Sequence, residues 1–399
     1  MRKSNWVYVL HQTFATDLLF WIVIGDLFLL NVKGLSEFDV VLVTTVGIAV
    51  ALALYPLINL IVKKTSSKVS IILASICQVL ATILFMNCTT IYGFIVAKAL
   101  YTSASPFRAV SNVMLKNNLA EKGNEGSFVK WQSYGRLGYA FITLAISLVA
   151  GWTLNVYSYL PMLLTLGLAV LGLVFAIIYK DAGCAQTEDG AKQGDIRSLI
   201  KYKPIILVVL MNLIGVGAYV FMHTRVAIVI EYVLDGTLDI ALINIIVSGL
   251  VFGSRLMRVL SMLIFPKIYS RVKIKSKILI AVSILIVAAN AFLAVGGLIG
   301  SNYILSLICL AIGFFIILGI RDVYSVAESR IIATSLPEQK LKQAFMLTSV
   351  AEKAGRLISH AFALLVLGFL PTSFLYLFMM IFSVAQIFIC LPLAKYFKE

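Results

Sequence analysis

The chain has 399 residues, of which 61% are hydrophobic and 13% charged, with a mean hydropathy of +1.00. A soluble domain carries about a quarter of its residues as charges, so a soluble enzyme or binding module is excluded and a membrane protein is expected. A net charge of +15 would suit nucleic acid, but no basic patch interleaved with aromatics lies outside the apolar runs, so nucleic-acid binding is not expected and the charge is read as topology.

A membrane-spanning helix needs about 20 mostly apolar residues. Breaks at charged or Gly/Asn/Pro clusters divide the chain into twelve such segments. The first six are predicted at about 6–30, 37–62, 69–87, 90–116, 129–152 and 156–179. From Lys180 to Lys203 runs the one long hydrophilic stretch, KDAGCAQTEDGAKQGDIRSLIKYK. Six more spans follow at about 205–233, 240–266, 276–297, 302–333, 343–369 and 373–395. The basic loop residues, including Lys63, Lys64, Lys68, Lys267, Arg271, Lys340, Lys342, Lys395 and Lys398, fall on one side of this arrangement and Lys33 on the other. Short basic loops stay cytoplasmic, which places both termini inside the cell and the protein in the plasma membrane. The five cysteines lack ligand or CxxC spacing, and His11, His223 and His360 are isolated, so neither a disulfide framework nor a metal site or other cofactor is expected. MRKSNW opens a retained first span rather than a cleaved leader, since Asp17 and Asp26 follow and no small-residue cleavage site does.

The stretch Lys98 to Thr143 holds the densest polar signal. Lys98, Tyr101, Ser105, Arg108 and Asn112 fall within an arc of roughly 80° on a helix, and Gln132, Arg136, Tyr139 and Thr143 recur at spacings that line one face. Such stripes do not face lipid, so they are expected to line a water-filled cavity or a partner helix. Asp17 lies about 18 Å into the first span, near the bilayer midplane. A carboxylate there is expected to be a proton-coupling group, the alternative being a structural pair with Lys98 or Arg136. Asp26 and Glu231 lie near the outer ends and are expected to be interfacial.

Arg225, Arg255 and Arg258 join Lys98, Tyr101, Arg108 and Tyr139 as expected substrate-cavity residues. Basic side chains outnumber acidic ones within the spans, and guanidinium groups suit carboxylates or phosphates. An anionic or zwitterionic solute is therefore favoured. Arg321 and Glu328 share one face of the tenth span and Glu352 and Arg356 one face of the eleventh. With Asn112, Gln132 and Arg136 these are expected gating residues, closing the cytoplasmic side through pairs that separate on opening, or else static pairs within one half.

The halves echo each other. IVIGD ending at Asp26 returns as IVIE ending at Glu231, KKTSSK at Lys63 as SRVKIK at Ser270, and GRLGYAF at Gly135 as GRLISHAF at Gly355. Three matches in the same order indicate a tandem duplication of a six-span unit: an N-terminal bundle over 1–180, a cytoplasmic linker over 181–203 and a C-terminal bundle over 204–399.

On these residues the chain resembles the major facilitator superfamily over its full length. The positions of the family's turn motif, Gly-x-x-x-Asp-Arg-x-Gly-Arg-Arg, are taken by Asn59, Lys63, Lys64, Ser66 and Lys68, and in the second half by Pro266, Ser270, Arg271, Lys273 and Lys275; the basic character survives and the Gly and Asp do not. Its fourth-span motif, Arg-x-x-Gln-Gly-x-Gly, is similar to Lys98, Tyr101, Thr102 and Ala104. In the family the motif's Asp helps lock the two halves on the cytoplasmic side, and Lys63 stands in its place here. The resemblance implies an all-α membrane protein of twelve transmembrane helices in two pseudo-symmetric six-helix bundles. It also implies a monomeric, non-enzymatic secondary transporter that moves a small organic solute with protons across the lipid bilayer. The competing expectations are a lipid flippase or multidrug exporter on the same scaffold and a membrane-embedded transferase, for which no His/Asp or Ser/His pair is evident near an interface.

Overall fold

The computed structural model describes residues 2–121, 123–180, 199, 201–216, 230, 233–234, 237–238, 240–272, 276–299, 302–367 and 372–396. Among them every regular element is a helix. In chain order these are α1 (Arg2–Ala15), α2 (Trp21–Leu27) running into a π-turn at Phe28–Val32, α3 (Glu37–Ala53), α4 (Tyr55–Lys64), α5 (Ser67–Asn87), α6 (Ile91–Ala109), α7 (Ser111–Ala120), α8 (Phe128–Val156) and α9 (Leu160–Ile178). Then come α10 (Lys203–Met211) with a π-turn at Asn212–Val216, α11 (Ile240–Arg271), α12 (Ser276–Leu298), α13 (Tyr303–Ser335), α14 (Glu338–Leu367) and α15 (Thr372–Ala394).

Most of these coincide with an expected span, and three spans are modified. The first is cut between Ala15 and Trp21. The second bends by 49° between α3 and α4, where Pro56 stands in the first turn of α4. The fourth restarts at Ser111 after Pro106. Among the described residues six helices are long and apolar enough to cross a membrane alone, α5, α9, α12, α13 and most of α8 and α11, and the bent pair makes a seventh. The helix α14 carries Lys340, Lys342, Glu352, Lys353 and Arg356 along its length and does not qualify by composition. On the outside of α8 Leu148 and Trp152 are each 64% exposed, and Phe388 on α15 is 69% exposed. That much open apolar surface is unfavourable in water and natural in hydrocarbon, so the protein is a multi-pass membrane protein.

The chain divides into two compact units, Met1–Ile205 with Ile332–Lys353, and Ile206–Ile331 with Ala354–Glu399. In the first, α1 packs on α8 and α9, α5 on α6 and α9, and α3 on α6. In the second, α12 lies along α15. Helix starts follow from local chemistry. Ser36 accepts the Asp39 amide at 3.1 Å while the Asp39 carboxylate accepts the Ser36 amide at 3.2 Å, a capping box that begins α3. Ser66 caps α5 through the Val69 amide and Thr90 caps α6 through the Gly93 amide.

The repeated Gly-Arg-Leu signature marks a close helix contact in each unit. A Cβ at Gly135 of α8 would stand 3.1 Å from Cβ of Gln12 and 3.2 Å from the Tyr8 ring of α1, and one at Gly355 of α14 would stand 2.7 Å from the Leu213 carbonyl beyond α10. Glycine lets these backbones approach. The fifth and eleventh spans thus each press a glycine against the first and seventh.

In the first unit Lys33, the lysine set apart from the basic loops in the sequence, is held by a cage of polar and aromatic groups. Its ammonium donates to the Met86 carbonyl at 2.6 Å and to the Tyr159 hydroxyl at 3.3 Å, and lies over the rings of Tyr159, Phe28 and Phe94 at 5.1, 5.7 and 6.0 Å. One cation therefore binds the end of α5, the π-turn of the first span, α6 and the start of α9. Lys33→Met is expected to lower unfolding stability by about 1–3 kcal/mol, read as a fall in the thermal midpoint of the purified protein. An unchanged midpoint contradicts the cage.

Candidate functional site: the break in the first span

An α-helix that ends inside a membrane leaves its last carbonyls without partners and without water to supply them. In the first span α1 stops at Ala15, Thr16–Phe20 is non-helical, and α2 starts at Trp21. The orphan groups are met by other spans. The Ala15 carbonyl accepts Arg108 Nη1 at 2.8 Å and Gln78 Nε2 at 3.0 Å, and the Thr16 hydroxyl donates to the Gln12 carbonyl. A guanidinium at a helix C-terminus also meets the negative end of the helix dipole. Upstream, α1 is tied to the α7 start: Gln12 Nε2 donates to Ser111 Oγ at 2.7 Å and the Tyr8 hydroxyl to Asn112 Oδ1 at 3.1 Å. Gly172 of α9 allows the end of α1 to come close, a Cβ there lying 3.3 Å from Ala15.

Asp17 sits inside the break. Its Oδ2 accepts the Tyr139 hydroxyl at 3.3 Å, while its Oδ1 is buried with no hydrogen-bond partner among the described residues. The charges acting on Arg108 are Asp17, Arg136 and Glu352. The structure therefore gathers Asp17, Arg108, Arg136, Tyr139 and Glu352 around one interruption. Asn112 belongs to the same wall through Tyr8, and Gln132 is buried on α8. The Lys98 ammonium lies 5.3 Å from the Tyr101 ring, and the Lys98 stem packs against Gly47 of α3.

In the second unit Arg258 and Asp322 form a two-pronged pair. Nη2 donates to Oδ1 at 2.8 Å, Nε donates to Oδ2, and Arg258 is 1% exposed. Arg258 thus serves as the counter-ion of Asp322, and Arg255, one turn earlier on α11, is the other buried guanidinium of that face. Glu328 accepts the Asn212 amide at 2.7 Å within the same unit. Arg321 is half-buried on α13, and Arg356 follows the packed Gly355, its carbonyl 2.8 Å from His360 Nδ1. Arg225, His223, Glu231 and residues 181–198 lie outside the described residues, as does the side chain of Asp26. Among the described residues no three His, Cys, Asp or Glu side chains converge on a metal-sized site.

Sequence reasoning missed Gln78, Gln12 and Tyr8. Their signal is that of the charges in weaker form: an amide or hydroxyl in an apolar span wants a partner.

No protein-family model and no curated protein matches the chain. Solved structures do. A bacterial homologue of the iron transporter ferroportin in an outward-facing state is 12% identical, with a TM-score of 0.72 and 99% of each chain covered. The same protein with soaked iron gives 0.70 at 12% identity, over 100% of this chain and 99% of that one. A mutant of the nucleoside transporter NupG gives 0.64 at 12% identity over 98% of both chains. The chain shares the fold of these solved transporters.

Removing one partner of a buried ion pair leaves an uncompensated charge, so Asp322→Ala is expected to destabilise by about 3–5 kcal/mol, and Arg258→Met with Asp322→Leu to recover most of it. Thermal or denaturant unfolding of both variants measures this. A double variant no more stable than the single one contradicts the pairing.

Proposed function

We propose that the protein is a secondary active transporter that carries a small organic solute across the plasma membrane by alternating access, with Asp17 as the proton-coupling group. The observation that carries this reading is the interrupted first span with a carboxylate in the gap, one oxygen of which has no hydrogen-bond partner among the described residues. A carboxyl in the gap of an interrupted span is placed where water can reach it from alternate sides. Arg108 and Arg136 are the nearby cations. Together with Arg255 they favour an anionic or zwitterionic solute over a bare metal ion, which two guanidiniums would repel.

The break also disfavours a sodium site. Alkali ions are held by unoccupied carbonyls, whereas both lone pairs of the Ala15 carbonyl are taken by Arg108 and Gln78, and the Gln12 carbonyl accepts Thr16. In this reading twelve spans form two six-helix bundles, 1–180 and 204–399, joined by a cytoplasmic linker at 181–203. Both termini are cytoplasmic and the carrier works as a monomer. The glycine contacts at Gly135 and Gly355 support the duplication. Lys98, Tyr101, Tyr139, Arg225, Arg255 and Arg258 line the path or brace it, and Asn112, Gln132, Arg136, Arg321, Glu328, Glu352 and Arg356 take part in gating.

The test is reconstitution with a pH-sensitive dye, against a panel of organic anions, zwitterions, cations and sugars preselected by thermal shift, since a ligand of the folded state raises the midpoint. Asp17→Asn is expected to abolish pH-gradient-driven flux while the solute's thermal shift persists. Flux unchanged in that variant removes Asp17 from the coupling mechanism, and shifts by cations alone remove the anionic or zwitterionic substrate.

A further inference from the structure

An aromatic cluster joins the start of α1 to the start of α8, away from the break. The Trp6 ring of α1 lies edge to face with Trp131 of α8, centroids 5.6 Å apart, and stacks on Tyr134 at 6.2 Å, while Trp131 and Tyr134 meet edge to face at 5.8 Å. Lys130 completes the group, its ammonium 5.9 Å from the centre of the Tyr134 ring.

The cluster opens to lipid rather than into the protein. Trp6 is 49% exposed and Lys130 is exposed as well. Tyr134, Phe141 and Leu148 recur at seven-residue spacing on one face of α8, and Phe141 and Leu148 are exposed apolar side chains. On α1, Leu10 stands one turn after Trp6 and is exposed too. Depth follows from helix length. Trp131 to Trp152 covers about 32 Å at 1.5 Å per residue, close to the roughly 30 Å of a hydrocarbon core, and Trp152 is exposed. The two indoles therefore mark opposite boundaries of the bilayer, where Trp concentrates. Trp6 and Lys130 sit with Trp131 at headgroup level.

Every polar group of the cluster can donate. Among the described residues the two indole N–H groups, the Tyr134 hydroxyl and the Lys130 ammonium have no acceptor in the protein, and no carboxylate pairs with Lys130. Four donors around one positive charge, at the boundary of water and hydrocarbon, match the oxygens of a phosphate. A choline or ethanolamine headgroup would bring its own cation against Lys130, which already occupies the Tyr134 face. The chemistry therefore selects a lipid of net negative charge.

We propose that Trp6, Lys130, Trp131 and Tyr134 bind the phosphate of an anionic phospholipid that bridges α1 and α8. The helix α1 has 14 residues and stops at the break, too short to span a membrane alone. A lipid held between its start and α8 ties that half-span to a helix that crosses fully. The site is independent of the role of Asp17.

Native mass spectrometry of the full-length protein, titrated in detergent with phosphatidylglycerol or phosphatidylcholine, tests the site. The wild type is expected to retain one phosphatidylglycerol about fivefold more readily than phosphatidylcholine. Lys130→Gln is expected to weaken that retention about fivefold, and Trp131→Phe, which keeps a ring and loses the N–H, about threefold. Lys130→Arg is expected to match the wild type, as is Lys395→Gln, which removes the same charge from an exposed position just past α15. Equal retention of the two lipids, equal losses in Lys130→Gln and Lys395→Gln, or a protein dimer in place of a lipid adduct overturns the site.

Discussion

The carbonyl of Ala15 is the constraint around which the first unit is arranged. A helix cannot stop in hydrocarbon unless its last acceptors are met, and here the donors come from two other spans, Gln78 and Arg108. That requirement fixes where α5 and α6 sit against α1, and Gly172 lets α9 approach the same point. It also fixes Asp17 two residues beyond the cap, in chain with no helical partner and with Tyr139 on one oxygen. The part of the span after the break is held separately by the aromatic cage around Lys33. The interruption is thus a short non-helical segment between two anchored ends.

The second unit disposes of its charges differently. Arg258 and Asp322 neutralise each other at depth, and Glu328 is taken up by Asn212 beside the π-turn that follows α10. Polar contacts between apolar helices do the rest: Asn290 bonds Ser383 and Ser283 bonds Cys390, stitching α12 to α15. Buried polar bonds of this sort specify which helix faces meet more than they add stability.

The order of helices was legible because hydropathy and loop charge carry it. The limits of α5, α8, α9, α12 and α13 lie within a few residues of the expected spans. The break at Thr16–Phe20 was not, since ATDLLF contains neither Gly nor Pro and a short apolar run reads as continuous helix. What interrupts it is tertiary: donors supplied from positions 78 and 108, which no local pattern reports. Arg108 and Asp17 were visible as costly residues, but the partner of Arg108 is a backbone carbonyl and has no sequence signature. Likewise Arg258 and Asp322 each stood out, and their pairing across α11 and α13 required coordinates. The Gly-Arg-Leu repeat was visible as a signature, and its meaning, a helix contact at glycine, emerged only from the packing against Gln12 and Leu213.

The proposal that Asp17, lodged in the interrupted first span, couples transport to protons rests on these contacts. Difference infrared spectroscopy of the membrane-reconstituted protein across a pH step observes that group directly. The account predicts a protonated-carboxyl band that grows on acidification and is missing in Asp17→Asn. A band of equal size in the variant, or none in the wild type, contradicts it.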